Sequence, residues 1–332
     1  MRSILVVASV VLSLVGVSPL AAQACACGGF VGDQKVQVRQ ETAIVELAPG
    51  RETVTMQFAA ETTATRAAWV MPVPGPADLS LGNAEAFTYL ADFTKPSYED
   101  VRGPSGGGGA KAAAAAPGAA VEVTQQVDIG PYSTAQLTGT DSTAVAQWLS
   151  TNGFSLPPTL ATGLAPYLSE GWSLTAVRLT AGQGNLRGNL PPLKITFATS
   201  SPVYPMRLSG QATSPQALRL YVLADHRMDA TSPVPGWTMD LYFAGRDTTR
   251  NTYVTRYDGT YPDPARITQD IKFTKAPTDN PHKTVLTRYV PNTGSEAPSM
   301  TWLFVAGIAV LIAILITGAI TAYTHRRRLN KN

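Results

Sequence analysis

Cysteine is almost missing from this chain of 332 residues, which has two, Cys25 and Cys27. A disulfide-stapled scaffold is thereby excluded, so the segment between Cys25 and Met300 must hold together by burying apolar surface, and it is long enough to do so. One residue, Ala26, separates the two cysteines, whereas exchange dithiols are spaced by two, and this argues against a thiol oxidoreductase. Histidine is scarce, with three in all. Neither His-Glu-x-x-His nor Ser-x-x-Lys occurs, which removes two common hydrolytic machineries. Outside the C-terminal tail no run of lysine or arginine is interleaved with aromatics, so nucleic acid is excluded as a partner.

The chain carries 26 basic and 23 acidic side chains. Arg2 lies in the N-terminal leader, and Arg326, Arg327, Arg328 and Lys331 lie in the tail, so 21 basic groups face 23 acidic ones between them, a net of −2. The basic balance of the whole chain is a matter of topology rather than of ligand charge.

The two ends carry that topology. From Trp302 to Tyr323 no charged side chain occurs, and His325-Arg326-Arg327-Arg328 follows. At about 1.5 Å per residue such a helix reaches roughly 33 Å, enough for a hydrocarbon core of about 30 Å. Trp302 and Tyr323 stand where amphipathic rings prefer the interface, and Arg326, Arg327 and Arg328 mark the cytoplasmic side. The expectation is a transmembrane helix over 301–323, a basic cytoplasmic tail over 324–332, and a single-pass protein of the cell membrane whose N-terminal domain is extracellular, with the lipid bilayer as its first partner. Met1-Arg2-Ser3 followed by an apolar stretch over 4–17 and by Ala22-Gln23-Ala24 predicts a signal peptide over 1–24, cleaved after Ala24. A lipid on Cys25 is disfavoured, because Ala22 stands where lipoprotein signals carry leucine.

Between the ends, Val54, Met56, Phe58 and Ala60 alternate with Thr53, Thr55, Gln57 and Ala59, the period of a strand. Val36–Val38 and Ile44–Leu47 read as its neighbours, with Pro49-Gly50 as a turn. Asn83 caps a short helix with Phe87 and Leu90 on one face. A first helix of a hairpin starts at Asp141 or Ser142 and stops at Asn152-Gly153, and a second opens at Pro157-Pro158 and stops at Gly171. Strands are predicted at 121–127, 132–137, 173–180, 193–197, 218–223 and 239–243. Gly103 to Ala120 is glycine- and alanine-rich and reads as a flexible loop, and 277–300 as a polar stalk. Strands, then inserted helices, then strands predict an α+β outer domain over 25–276, with a mixed, mostly antiparallel, sandwich-like sheet and the helices on one face.

Cys27-Gly28-Gly29-Phe30, Ala68-Trp69-Val70-Met71-Pro72-Val73-Pro74, Gln147-Trp148-Leu149, Tyr167 to Trp172, and Pro202 to Ser209 with Tyr221-Val222-Leu223-Ala224-Asp225 occur in that order. In them the chain resembles, over about residues 25–230, a family of secreted bacterial proteins known as domain of unknown function 2330. The resemblance implies a bacterial cell-surface protein and no activity.

Candidate chemistry is thin. Cys25-Ala26-Cys27 can form a local disulfide, pair with another chain or hold a soft metal. Asp225-His226-Arg227-Met228-Asp229 offers Asp225, His226 and Asp229 to a hard metal, although a solvated strand end explains it as well. Gly182 to Gly188 looks like a dinucleotide loop with one residue too many, and Pro191-Pro192 stops the helix such a loop needs, so no cofactor is implied. Trp69, Trp148, Trp172 and Trp237 read as core, except that the proline segments at 72–76 and 233–236, beside Trp69 and Trp237, could offer a peptide or glycan edge. No residue is assigned a catalytic role. The expected function is a non-enzymatic binding or envelope-assembly domain with another envelope protein or a glycan as partner; the alternative is a thiol- or metal-dependent activity at Cys25 and Cys27.

Overall fold

A computed structural model of the chain describes residues 23–25, 28–103, 127–129, 132–138, 142–181 and 184–291, and in the C-terminal segment 308, 311, 312, 314–321 and 326. Two sheets face each other. The larger has nine strands and the smaller six, and among the described pairings all are antiparallel except Val36–Ala48 with Gln216–Ala224. The mixed, mostly antiparallel α+β expectation holds.

Alternation explains the layering. In the strand Arg66–Val73, Ala67, Trp69, Met71 and Val73 point to the space between the sheets, where they meet Val54, Met56, Ile195 and Leu220 of the larger sheet. Ala68 and Val70 point the other way, into a second cluster with Trp148, Leu149, Leu164 and Tyr167. These come from helices on the outer face of the smaller sheet, whose ranges are given below. A strand buried on both faces must be apolar, and this one is from Ala67 to Val73. Each fully buried large side chain of this kind contributes about 1.5–3 kcal/mol.

The helices occupy two faces rather than the one expected. Helix α1 (Ala84–Phe93) packs Phe87 and Leu90 on Ile44, Tyr221, Phe243 and Val254, on the outer face of the larger sheet. Helices α2 (Thr143–Thr151) and α3 (Pro158–Ser169) cover the smaller one. The correction has a simple cause: the large sheet is apolar on both faces, and one of them needs a cover of its own. Helix ends follow the sequence signals. The Asn83 Oδ1 accepts from Glu85 N at 2.8 Å, Gly153 (φ +81°) and Gly171 (φ +78°) follow the ends of α2 and α3, and Pro158 opens α3.

Residues 228–291 hold more strand than expected: Met228–Ala230, Asp240–Asp247, Thr252–Tyr261, Ile271–Lys275, His282–Lys283 and Val285–Pro291. Thr252–Tyr261 hides its period because buried Arg256 stands among its apolar positions, paired with Asp258 at 2.7 and 2.9 Å and stacked on Tyr242 at 3.8 Å. The expected stalk is likewise strand in part, since His282–Lys283 pairs with Asp240–Asp247. Of the predicted strand 121–127 only Val127 is described, within Val127–Ile129. The predicted loop 103–120 lies outside the described residues apart from Gly103.

Ile271–Lys275 is the middle of a three-stranded sheet, between Val203–Tyr204 and Met228–Ala230. A separate unit begins at Tyr98 and resumes at Leu286. In it Ser97–Gly103 pairs with Val285–Pro291, and Arg288 grips Asp100 at 2.7 and 3.0 Å. Among the described residues no helix is long and apolar enough to cross a membrane.

Candidate functional site

Three segments far apart in sequence meet at Asp270. Helix α3 ends by presenting Tyr167, and Gly171, at positive φ, turns the chain so that Trp172 packs on Tyr167 with ring centres 4.9 Å apart. A 3₁₀ turn, Arg207–Gln211, brings Arg207, and the loop before Ile271–Lys275 brings Asp270. The Tyr167 hydroxyl donates to Asp270 Oδ1 at 2.5 Å, which also accepts from the backbone N–H groups of Met206 and Arg207 at 2.8 and 3.0 Å. Arg207 Nε donates to Asp270 Oδ2 at 2.8 Å, its two terminal nitrogens hold Glu170 at 2.5 and 2.7 Å, and its guanidinium lies 4.1 Å from the centre of the Tyr167 ring. Every oxygen of both carboxylates is engaged, which fixes the constellation.

Electrostatics agree with geometry. The hydrogen bonds from Arg207 hold the Glu170 carboxyl below its ordinary range. Burial, and then the neighbouring Asp270 charge, push the Tyr167 hydroxyl well above its own. The hydrogen bond to Glu170 raises the Arg207 guanidinium further still. Deeper in, Glu52 is fully buried; its Oε2 accepts from Val203 N at 2.9 Å, and burial pushes its pKa up to about 8. Glu41, also buried, receives the hydroxyl of Tyr204. The two carboxyls thus tie down the two-residue strand that borders the site.

A cleft of about 630 Å³ opens beside this cluster, lined by Trp172, Glu170, Arg207, Asp270 and Lys272, by serine and threonine side chains, and by Pro74 and Val203. A second, of about 500 Å³, is bordered by Arg227, Asp229, Tyr257 and Trp237. Thr231 and Gln269 line both, so the clefts adjoin. Trp237 is displayed by a tight turn: its N–H donates to Val234 O at 3.1 Å across Pro235 and Gly236, the latter at φ +78°. Proline at the second and glycine at the third position is the pattern such a turn requires. The Pro233 carbonyl is held by the N–H groups of Thr268 and Gln269. Residues 233–236 are therefore a pinned turn and not an extended segment.

Of the four described tryptophans, Trp69 and Trp148 are core, Trp172 is partly buried against the helix-side cluster, and Trp237 is exposed. Trp69 is wholly buried and Trp148 nearly so, while Pro74, in the segment 72–76 beside Trp69, lines the first cleft. Trp172 and Trp237 line the clefts. Of the proposed hard-metal residues, His226 Nδ1 pairs with Asp279 Oδ2 at 2.8 Å, the Asp225 carbonyl accepts from Arg246, and Asp229 sits 3.5 Å from an Arg227 nitrogen. Among the described residues no three histidine, cysteine, aspartate or glutamate side chains are grouped to hold a metal ion, so Asp225, His226 and Asp229 are not brought together as a ligand set. Cys25 is placed only through its backbone, opposite Gly28 in a short hairpin. The side chain of Cys25, all of Cys27, and Trp302, Tyr323, Arg327 and Arg328 lie outside the described residues; Arg326 is helical and exposed.

The sequence pattern of the bacterial family DUF2330, described as an uncharacterized protein conserved in bacteria, matches residues 21–274. The chain belongs to that family. The match takes in the smaller sheet, all of the larger one but its edge strand His282–Lys283, the Asp270 cluster and both clefts, so it includes the whole candidate site. No curated protein matches the chain. Among solved structures, the crystal structure of baculovirus P35 is similar over 76% of this chain and 98% of that one, with 10% identity and a TM-score of 0.36.

Proposed function

We propose that this DUF2330 protein is a membrane-tethered binding module of the bacterial envelope, facing away from the cytoplasm, whose ligand seats in the adjoining clefts. One observation carries the binding reading. Two concavities share Thr231 and Gln269; the wall of the first is held in place before any ligand arrives by the hydrogen bonds that converge on Asp270, and the Trp237 turn of the second by those on the Val234 and Pro233 carbonyls. Ligand sites are typically such preformed concave regions with a few fixed polar groups, and a site that is already ordered costs little to order on binding. The tether rests on the apolar block 302–323 with its arginine flank, and the outward orientation on that flank together with the leader-like residues 1–24.

The test joins both halves. Protease added to spheroplasts digests the folded domain if it faces outward, and protection overturns that orientation. A photoreactive phenylalanine derivative replacing Gln269 forms an ultraviolet-dependent adduct in intact membranes, while the same group at Lys95, exposed just beyond the end of α1, forms none. Equal or absent labelling at the two positions overturns the binding reading.

A further inference from the structure

We infer that the joined clefts take a neutral, hydroxyl-rich chain, an oligosaccharide, with sugar rings laid against Trp172 and Trp237. The inference rests on the binding reading above. Trp237 is 41% exposed, a large fraction for a side chain of this size held in a pinned turn. Arg266 stacks on it with its guanidinium 4.7 Å from the ring, and Arg266 does not line the cleft whereas Trp237 does. One face of the indole is thus covered by Arg266, and the exposed remainder of the side chain borders the cleft. A rigid aromatic face offered to a groove suits the C–H face of a pyranose, and it costs little conformational entropy.

Charge points the same way. The acids Glu170, Asp270 and Asp229 face the bases Arg207, Lys272 and Arg227, three against three, and both arginines already have carboxylate partners. A groove so balanced gains little from a charged ligand. The uncharged polar groups along it are mainly serine and threonine hydroxyls and the Gln269 amide, which both donate and accept as a sugar hydroxyl does, and apolar side chains such as Val203, Val234, Met239 and Leu241 complete the lining.

An extended peptide is the competing occupant, and the strand edge argues against it. Adding a strand needs unpaired backbone N–H and C=O groups along an edge. The edge that borders the second cleft is Met228–Ala230. Its Met228 N–H donates to Thr255 Oγ1 at 3.3 Å and its Met228 carbonyl accepts from the Tyr257 hydroxyl at 2.9 Å. Tyr257 also receives a backbone hydrogen bond from Ala230. Side chains from the strand Thr252–Tyr261 have therefore closed that edge.

The experiment uses the full chain in lipid nanodiscs. Calorimetric titration is done with hexasaccharides of β-1,4-linked N-acetylglucosamine, β-1,4-linked glucose and α-1,4-linked glucose, and with a proline-rich peptide. At least one hexasaccharide is expected to bind, and Trp237→Ala to weaken it about tenfold or more while the melting temperature stays unchanged, with Trp237→Phe retaining part of the affinity. No hexasaccharide binding at millimolar concentration, or binding indifferent to Trp237→Ala, overturns the inference. Peptide binding that depends on Trp237, without sugar binding, overturns the oligosaccharide and leaves the binding module standing. Loss of both, together with no adduct at position 269, brings down both readings.

Discussion

Tyr167 and Asp270 are separated by 103 residues of chain and joined by a hydrogen bond of 2.5 Å. The same carboxylate oxygen caps the N–H groups of Met206 and Arg207, so one side chain closes α3, the 3₁₀ turn and the strand that begins at Ile271 into a single wall. Removing the hydroxyl and removing the carboxylate should have unequal costs. Tyr167→Phe deletes one donor and leaves Asp270 three others; a loss of about 1–2 kcal/mol is expected. Asp270→Ala strands the Met206 N–H and the Tyr167 hydroxyl, leaves the Arg207 N–H only the Tyr167 oxygen at 3.1 Å, and takes one carboxylate from a half-buried arginine; about 3 kcal/mol or more is expected. Denaturant unfolding of the two variants checks the order, and an Asp270→Ala protein as stable as Tyr167→Phe would show that the cluster is not the tie described here.

In the smaller sheet, Gly28 and Gly29 leave no room for a side chain. A Cβ at Gly28 would run into the Trp69 indole nitrogen and lie 2.6 Å from the Val70 carbonyl oxygen, while one at Gly29 would lie 2.5 Å from Leu160 Cδ1. The neighbours of Gly28 are a wholly buried ring and backbone, with nowhere to go; Leu160 is the end of a side chain and can shift. Gly29→Ala is expected to cost about 1–3 kcal/mol and Gly28→Ala more than that. Thermal melts of both variants decide it, and the reverse order would contradict the packing.

How far the sequence could be read divides along chain distance. The alternation of Val54, Met56, Phe58 and Ala60, the cap at Asn83 and the stops at Gly153 and Gly171 are local signals and hold in the structure. The Pro235-Gly236-Trp237 turn was equally legible, although its neighbours suggested an extended edge. The Asp270 cluster was not legible, because Glu170, Arg207 and Asp270 stand apart and no spacing rule links an arginine to a carboxylate 63 residues away. The second layer of helix was hidden for a related reason: which face of a doubly apolar strand needs a cover depends on strand order in the sheet.

Asn83 offers a local test of that legible part. Its side chain accepts the Glu85 N–H at the start of α1, and α1 covers the part of the larger sheet's outer face around Ile44, Tyr221, Phe243 and Val254 with only Phe87 and Leu90 of its own residues buried. With so small an apolar contribution, the cap carries a visible share of the helix's stability. Asn83→Ala is expected to lose about 1 kcal/mol and Asn83→Ser or Asn83→Asp to lose little. Hydrogen exchange confined to α1 should rise in the alanine variant, and unchanged exchange would show that packing alone holds the helix.

Glu52 should make the protein less stable as pH rises. Its carboxyl is fully buried, has one hydrogen bond, from Val203 N, and has its pKa pushed from 4.5 up to about 8 by burial. Below pH 4.5 the carboxyl is protonated whether the chain is folded or not, and it imposes no pH dependence. Above that the unfolded chain releases the proton and the folded one keeps it, so stability falls by up to about 1.4 kcal/mol for each pH unit until the folded group ionises near pH 8. Glu52→Gln keeps an acceptor for Val203 and has no proton to lose. The difference in unfolding free energy between variant and parent is therefore expected to grow in the variant's favour from pH 5 to pH 8, and to level off above. Parallel pH profiles for the two proteins would mean that Glu52 is already ionised in the fold, and that something other than burial sets its charge.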